Sequence, residues 1–158
     1  MKFTIITVCF NSEKYLSTAI ESVLNQTYLD IEYVIIDGKS SDNTIDIIKK
    51  YVPLFNGRLK LVSEKDKGLY DAMNKGIKLA TGDVIGLINS DDLFCDPDAL
   101  TKVVKVFKKN KNLDSVYADL FYVSQQDINK ISRRWVTGIQ RKFKYGWHPA
   151  HPTFYIKK

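Results

Sequence analysis

The sequence is poor in cysteine, histidine, glycine and proline, and each shortage excludes a class of protein. Its two cysteines, Cys9 in an apolar run and Cys95 eighty-six residues later, form neither a disulfide framework nor a metal-ligand spacing, so both read as reduced thiols. The two histidines, His148 and His151, make no HxH or HExxH pattern. No glycine stands in the turn after the first apolar run, so the GxGxxG dinucleotide fingerprint is missing. Neither a GxxxxGK phosphate loop nor a GxSxG nucleophile elbow occurs. No apolar run approaches the ~18 residues of a membrane span, and the opening MKFTIITVCF lacks a signal peptide's cleavage site. A soluble, cytoplasmic chain is the expectation. With 158 residues, 44% of them hydrophobic, the chain suits one domain by the usual allowance of about 100–200 residues.

The net charge of +6 is unevenly placed. Residues 1–92 hold 11 Lys and Arg against 13 Asp and Glu, a net of −2, while residues 93–158 hold 13 against 5, a net of +8. A blocky imbalance points to partners, although a solvated basic helix face with a basic tail would produce it too.

Four apolar runs, Phe3 to Val8, Tyr33 to Ile36, Leu59 to Val62 and Val84 to Ile88, are nearly continuous Val, Ile and Leu, as in strands covered on both faces. Between them the helical period appears. Leu16, Ala19, Ile20, Val23 and Leu24 form one stripe, with Asn11 or Ser12 as N-cap and Glu13 suited to the helix dipole. Ile45, Ile48 and Val52 form a second, opened by Ser40, Ser41 and Asp42. Leu69, Ala72, Met73, Ile77 and Ala80 form a third. Strand alternating with helix predicts a parallel, right-handed, doubly wound α/β sheet. Asp96-Pro97 starts a further helix with Leu100, Val103, Val104 and Phe107 on one face. Ser115 to Val123 and Ile131 to Val136 read as strands, and residues 138–158 as a basic, aromatic end.

Ligands of open parallel sheets bind at the carboxyl ends of the strands. Three of the four ends carry carboxylates: Asp37, the run Glu64 to Asp66, and Asp91-Asp92. Their mutual repulsion calls for a cation or ligand hydroxyls. Asp91 and Asp92 read either as ligands of Mg²⁺ or Mn²⁺ or as a turn pair. Asp37 is either a ribose or base acceptor or a turn residue, Phe10 either stacks on a base or packs under the sheet, and His151 is either a ligand or structural.

The segments TIITVCFNSEKYLSTAIESVLNQTY, EYVIIDGKSSDNT, SEKDKGLYDAMNKGIKLATGD and VIGLINSDDLF, in this order and spacing, resemble the family 2 glycosyltransferases with the GT-A fold. The likeness is to short bacterial transferases of colanic-acid and other exopolysaccharide pathways. It runs from residue 3 to about 107 and continues weakly through HPAHPTFYIKK. It implies a Rossmann-like, mostly parallel central sheet flanked by helices, in one domain with a donor part at 1–107 and a partial acceptor-side region at 108–158. Val8, Cys9 and Phe10 would cradle the nucleotide base, and Asp37 would bind base or ribose. Asp66 would lie near the nucleotide, and Asn74 and Lys75 would shape the sugar-nucleotide pocket. Asn89 and Asp91 would contact the donor, and Asp91, Asp92 and His151 would hold a divalent metal, Mn²⁺ or Mg²⁺. Many members read Asp-Ser-Asp-Asp where this chain has Asn89-Ser90-Asp91-Asp92, so one anionic ligand is replaced by an amide.

The resemblance also implies inverting transfer from a nucleotide-sugar, a UDP-sugar by preference, to a polysaccharide or lipid-linked acceptor in cell-surface glycan synthesis. A carboxylate base would activate the acceptor. In the family that base lies beyond the segment matching His151 to Lys158, so the chain is expected to be C-terminally truncated. A silent nucleotide-sugar-binding fragment, or a module that joins a partner or a second copy of itself, is the alternative. The basic later half, with Trp135, Tyr145 and Trp147 among Arg133, Arg134, Arg141, Lys142 and Lys144, suits peripheral contact with an anionic membrane surface better than nucleic acid.

Overall fold

A computed structural model describes residues 1–140 and 142–158; Arg141, expected in the basic segment, lies outside the described residues. Four parallel strands, β1 (Phe3–Cys9), β2 (Ile31–Asp37), β3 (Leu59–Ser63) and β4 (Val84–Leu87), form the heart of a six-stranded sheet. β1 and β2 are buried along their whole length, as runs without polar alternation require. Their side chains still divide by the strand period. Phe3 and Ile5 join one core with Leu16, Ile20, Ile48, Leu100 and Phe107, whereas Ile6 and Val8 join the other with Val34, Ile36 and Ala72. The first core is roofed by α1 (Leu16–Leu24), α2 (Thr44–Tyr51) and α4 (Ala99–Lys109), and the second by α3 (Leu69–Leu79).

The strand order is β3-β2-β1-β4-β8-β5. Connections from β1 run outward in one direction and the return to β4 goes to the other side, so a crevice opens where β1 and β4 end. β5 (Ser115–Val116) and β8 (Tyr155–Lys157) complete the sheet, with β8 antiparallel between β4 and β5. A separate two-stranded sheet pairs β6 (Leu120–Val123) with β7 (Ile131–Trp135) in antiparallel register.

Several details depart from the sequence reading. Neither Asn11 nor Ser12 caps α1, which begins at Leu16 with no side-chain cap. Asn11 takes a left-handed φ of 49° and accepts the Ser41 backbone N–H instead, and Glu13 binds Asn43 at the start of α2. The carboxylate thus serves the neighbouring helix rather than its own. On α3, Leu69 and Ile77 are exposed and the contact passes through Ala72 and Gly76. A Cβ on Gly76 would lie 2.5 Å from Ile6 Cγ2, so the helix sits too close to the sheet for larger residues to share its inner face. α4 begins at Ala99, two residues after Pro97, with the expected buried face. The stretch from Ser115 to Val123 is two strands in two sheets, not one. β8 was not foreseen, because only its first residue, Tyr155, is buried. Among the described residues no helix is long and apolar enough to cross a membrane.

Candidate functional site

The ends of β1, β2 and β3 together form a groove of about 370 Å³ lined by Phe10, Gly38, Lys39, Lys65 and Asp66. Phe10 does not pack under the sheet: it is 63% exposed and presents its ring to the groove. The floor is held thin at Gly38, where a Cβ would meet Asp66 Oδ2 at 2.8 Å and the Phe10 ring at 3.3 Å. Asp66 Oδ1 accepts the Gly68 N–H, which fixes the carboxylate at the groove wall. An aromatic face, a carboxylate acceptor and two lysines in one cleft suit a planar, hydrogen-bonding ligand that carries negative charge.

Asp37 lies beneath the groove and is fully buried. Its carboxylate accepts the backbone N–H groups of Lys39 and Ser40 at 3.0 and 3.1 Å and the hydroxyls of Ser63, at 2.6 Å, and Ser40. The turn-residue reading therefore describes its observed contacts. The sequence reading missed Ser63 and treated Ser40 only as a helix opener. Ser40 Oγ also accepts the Asn11 N–H, so the loop after β1 and the loop after β2 hang on the same carboxylate.

Val8 and Cys9 are buried within β1, and the Cys9 carbonyl accepts the Gly38 N–H. Burial, with the Asp37 carboxylate 3.9 Å away, pushes the Cys9 thiol up to about 12. Lys75 reaches back from α3 to donate to the Lys65 carbonyl at 2.8 Å and to pair with Glu64 at 3.0 Å, pinning the loop that delivers Lys65 and Asp66. Asn74, on the same helix, is exposed.

The rim beside β4 carries the acidic pair. Asp91 is exposed, and Asp92 is half-buried and accepts from Asn89 Nδ2 at 2.7 Å. The same amide nitrogen is 3.3 Å from His151 Nε2, so the fold brings His151 across sixty-two residues to this rim. Burial raises the Asp92 carboxyl above the usual range, the Asn89 hydrogen bond opposes that, and the Asp91 charge adds to it. Among the described residues no three His, Cys, Asp or Glu side chains converge as a preformed metal site. Ser90 Oγ lies 3.1 Å from Ser12 Oγ, which ties this rim to the loop after β1.

The family model for glycosyl transferase family 2 matches residues 4–156. The chain belongs to this family. A PGL/p-HBAD biosynthesis glycosyltransferase of Mycobacterium tuberculosis is 36% identical over 118 residues, which cover 75% of this chain and 46% of that relative. The chain thus spans about half the length of the curated relative. Among solved structures, S. aureus TarS 1-349 in complex with UDP-GlcNAc superposes with a TM-score of 0.77 at 22% identity, covering 99% of this chain and 45% of that one. The mannosyltransferase PcManGT of Pyrobaculum calidifontis, in complex with GDP-Man and Mn²⁺, gives 0.68 at 22% identity and covers 81% of this chain and 37% of that one. The glycosyltransferase family 2 chain therefore has the GT-A fold that its sequence resemblance implied.

Proposed function

We propose that this chain binds a nucleotide-activated sugar, a UDP-sugar by preference, and supplies the donor half of an inverting transfer to a polysaccharide or lipid-linked acceptor of the cell surface. The observation that carries the proposal is that the Phe10–Asp66 groove and the Asn89–Asp92–His151 rim stand on loops at the same end of the sheet, joined by the contact of Ser12 Oγ with Ser90 Oγ at 3.1 Å. Phe10 stacks on the base, Asp66 accepts from its N–H edge, and Lys39 and Lys65 face the phosphates. Asp37 acts from below by holding the Gly38–Ser40 turn.

Asp91, Asp92 and His151 are the residues that would hold Mn²⁺ or Mg²⁺; oxygen-rich ligands with one imidazole fit either ion, and Asn89 holds Asp92 and His151 to the same rim. Bound there, a divalent ion would supply positive charge against the donor's phosphates. The likeness to proteins solved with UDP-GlcNAc and with GDP-Man and Mn²⁺ supports both assignments.

Titration calorimetry with UDP, with and without Mn²⁺, tests the reading. Saturable, Mn²⁺-dependent binding that Asp91→Ala and Asp92→Ala abolish is expected. Absence of binding by UDP and GDP, or binding indifferent to both substitutions, overturns it.

A second reading, donor binding without transfer by this chain alone, is favoured by the state of Asp119. Its carboxylate is already engaged by Arg134 at 2.8 Å and by the Thr137 N–H at 3.0 Å, so it is not free to take a proton from an acceptor hydroxyl. Release of sugar from a UDP-sugar by the purified chain, faster with an added glycan acceptor, would exclude this second reading.

A further inference from the structure

Residues 120–147 carry Lys130, Arg133, Arg134, Arg141, Lys142 and Lys144 against one acid, Asp127. Of the described cations in this stretch, only Arg134 is ion-paired, to Asp119 at 2.8 Å. The others have aromatic or solvent surroundings in place of carboxylates. The Arg133 guanidinium lies 5.5 Å from the Tyr122 ring centre, Arg134 lies 5.8 Å from that of Phe121, and Lys144 Nζ lies 5.0 Å from that of Tyr145. The register makes the first two pairs cross-strand neighbours, so each face of the β6–β7 hairpin presents a ring and a cation side by side.

Ile131, at the start of β7, is exposed, and so are Val136 and Tyr145 in the segment that follows the strand, where Ile139 is 87% exposed. The hairpin forms a two-stranded sheet of its own, separate from the six-stranded sheet. Aliphatic and aromatic side chains mixed with unpaired cations are poorly served by water alone. Their complement is a surface with phosphates at its outer level and hydrocarbon just beneath.

We infer that the β6–β7 hairpin, with the exposed Val136, Ile139, Lys144 and Tyr145 that follow it, docks the chain on an anionic phospholipid surface. Charge complementarity selects this occupant. A second copy of the same face would set like charges against each other, and a nucleic acid would use the rings but has no stacking partner for Ile131, Val136 and Ile139. The inference uses none of the residues of the donor groove and stands or falls separately from it.

Co-sedimentation with vesicles of phosphatidylcholine alone, and of phosphatidylcholine mixed with phosphatidylglycerol, across a salt series tests it. Binding to the mixed vesicles only, falling as salt rises, is expected. Arg133→Glu and Lys144→Glu should each weaken partitioning about thirtyfold, the two charge units changed being worth ~1 kcal/mol each. Ile139→Ser should weaken it at every salt concentration. Circular dichroism reports whether each variant folds; where a Glu variant does not, Arg133→Gln and Lys144→Gln replace it, with about fivefold expected for one charge unit. Equal binding to neutral vesicles, no binding, or folded variants that bind like the parent overturns the inference. So does a hairpin-dependent dimer, or preference for a single-stranded oligonucleotide over the mixed vesicles.

Discussion

Ser12 Oγ and Ser90 Oγ stand 3.1 Å apart although seventy-eight residues separate them in sequence. The bond joins the loop that presents Phe10 to the loop that presents Asp91 and Asp92, so the base end and the diphosphate end of the proposed site move as one. Ser12→Ala and Ser90→Ala should each lower UDP affinity about fivefold, the equivalent of one hydrogen bond of ~1 kcal/mol. The double variant should lose no more than either single one, because both remove the same bond. Calorimetry on the three variants checks this, and additive losses would refute the coupling.

Asp37→Asn keeps the shape of the side chain but turns one oxygen into a donor facing N–H and O–H groups that already need an acceptor. Unfolding in urea should show a loss of about 1–3 kcal/mol, the cost of leaving a buried donor unpaired. UDP affinity should fall with it, since the Gly38–Ser40 turn forms the groove floor.

Glu32 sits at the opposite end of the sheet from the site. Burial alone would raise its carboxyl, but hydrogen bonds from Lys60, Thr81 and Thr4 outweigh this and hold it down to about 2. Since the folded value is depressed, this stabilisation is complete above about pH 4.5 and fades as pH falls towards 2. The Tm of the parent should drop through that window. Glu32→Gln should start lower at neutral pH and show a shallower acid decline by scanning calorimetry.

Gly86 meets the ring of Tyr155, where a Cβ would lie 2.7 Å from Cδ1 and Cε1. Tyr155 is buried and cannot step aside. Gly86→Ala should cost about 1–3 kcal/mol as overpacking, and less in a Tyr155→Ala background. Denaturant curves on the four chains of this cycle measure the difference.

The two thiols should behave differently towards an aromatic disulfide reagent. Cys9 is buried and its thiol is pushed up to about 12, whereas Cys95 is exposed, its thiol raised above the ordinary value by partial desolvation and by the neighbouring Asp96 carboxylate. One equivalent should react in the native state, slowly, and two after unfolding. A Cys95→Ser variant that still releases an equivalent when folded would contradict the burial of Cys9.

The parallel half of the fold was legible because its strands are buried on both faces and so are written as unbroken apolar runs, with helical stripes such as Leu100 to Phe107 between them. The strand ends Phe10, Asp37, Asp66 and Asp91 were legible for the same reason, since a clear strand announces where it stops. Asn11, Glu13 and Ser40 were misread because each bonds to a neighbouring loop some thirty residues away rather than to the helix beside it. No local period records such a partner. On α3 the stripe holds at Ala72, Met73 and Ala80 but not at the exposed Leu69 and Ile77, because Gly76, which carries no hydropathy signal, sets the contact by its lack of a side chain. β8 escaped because a three-residue strand with one buried side chain has no period to read.

The position of β8 also sets the order in which this sheet can assemble. β1 to β4 pair within the first ninety residues, but β5 has no hydrogen-bonding strand until Tyr155–Lys157 slides between it and β4. That insertion closes a loop of some seventy residues from β4, a non-local pairing whose chain entropy is lost before its contacts form. Until it happens, the edge of β4 is bare and His151 is away from Asn89. A chain lacking that pairing would hold the Phe10–Asp66 groove without the Asn89–His151 contact, so ligand affinity could serve as a clock for the last step of folding.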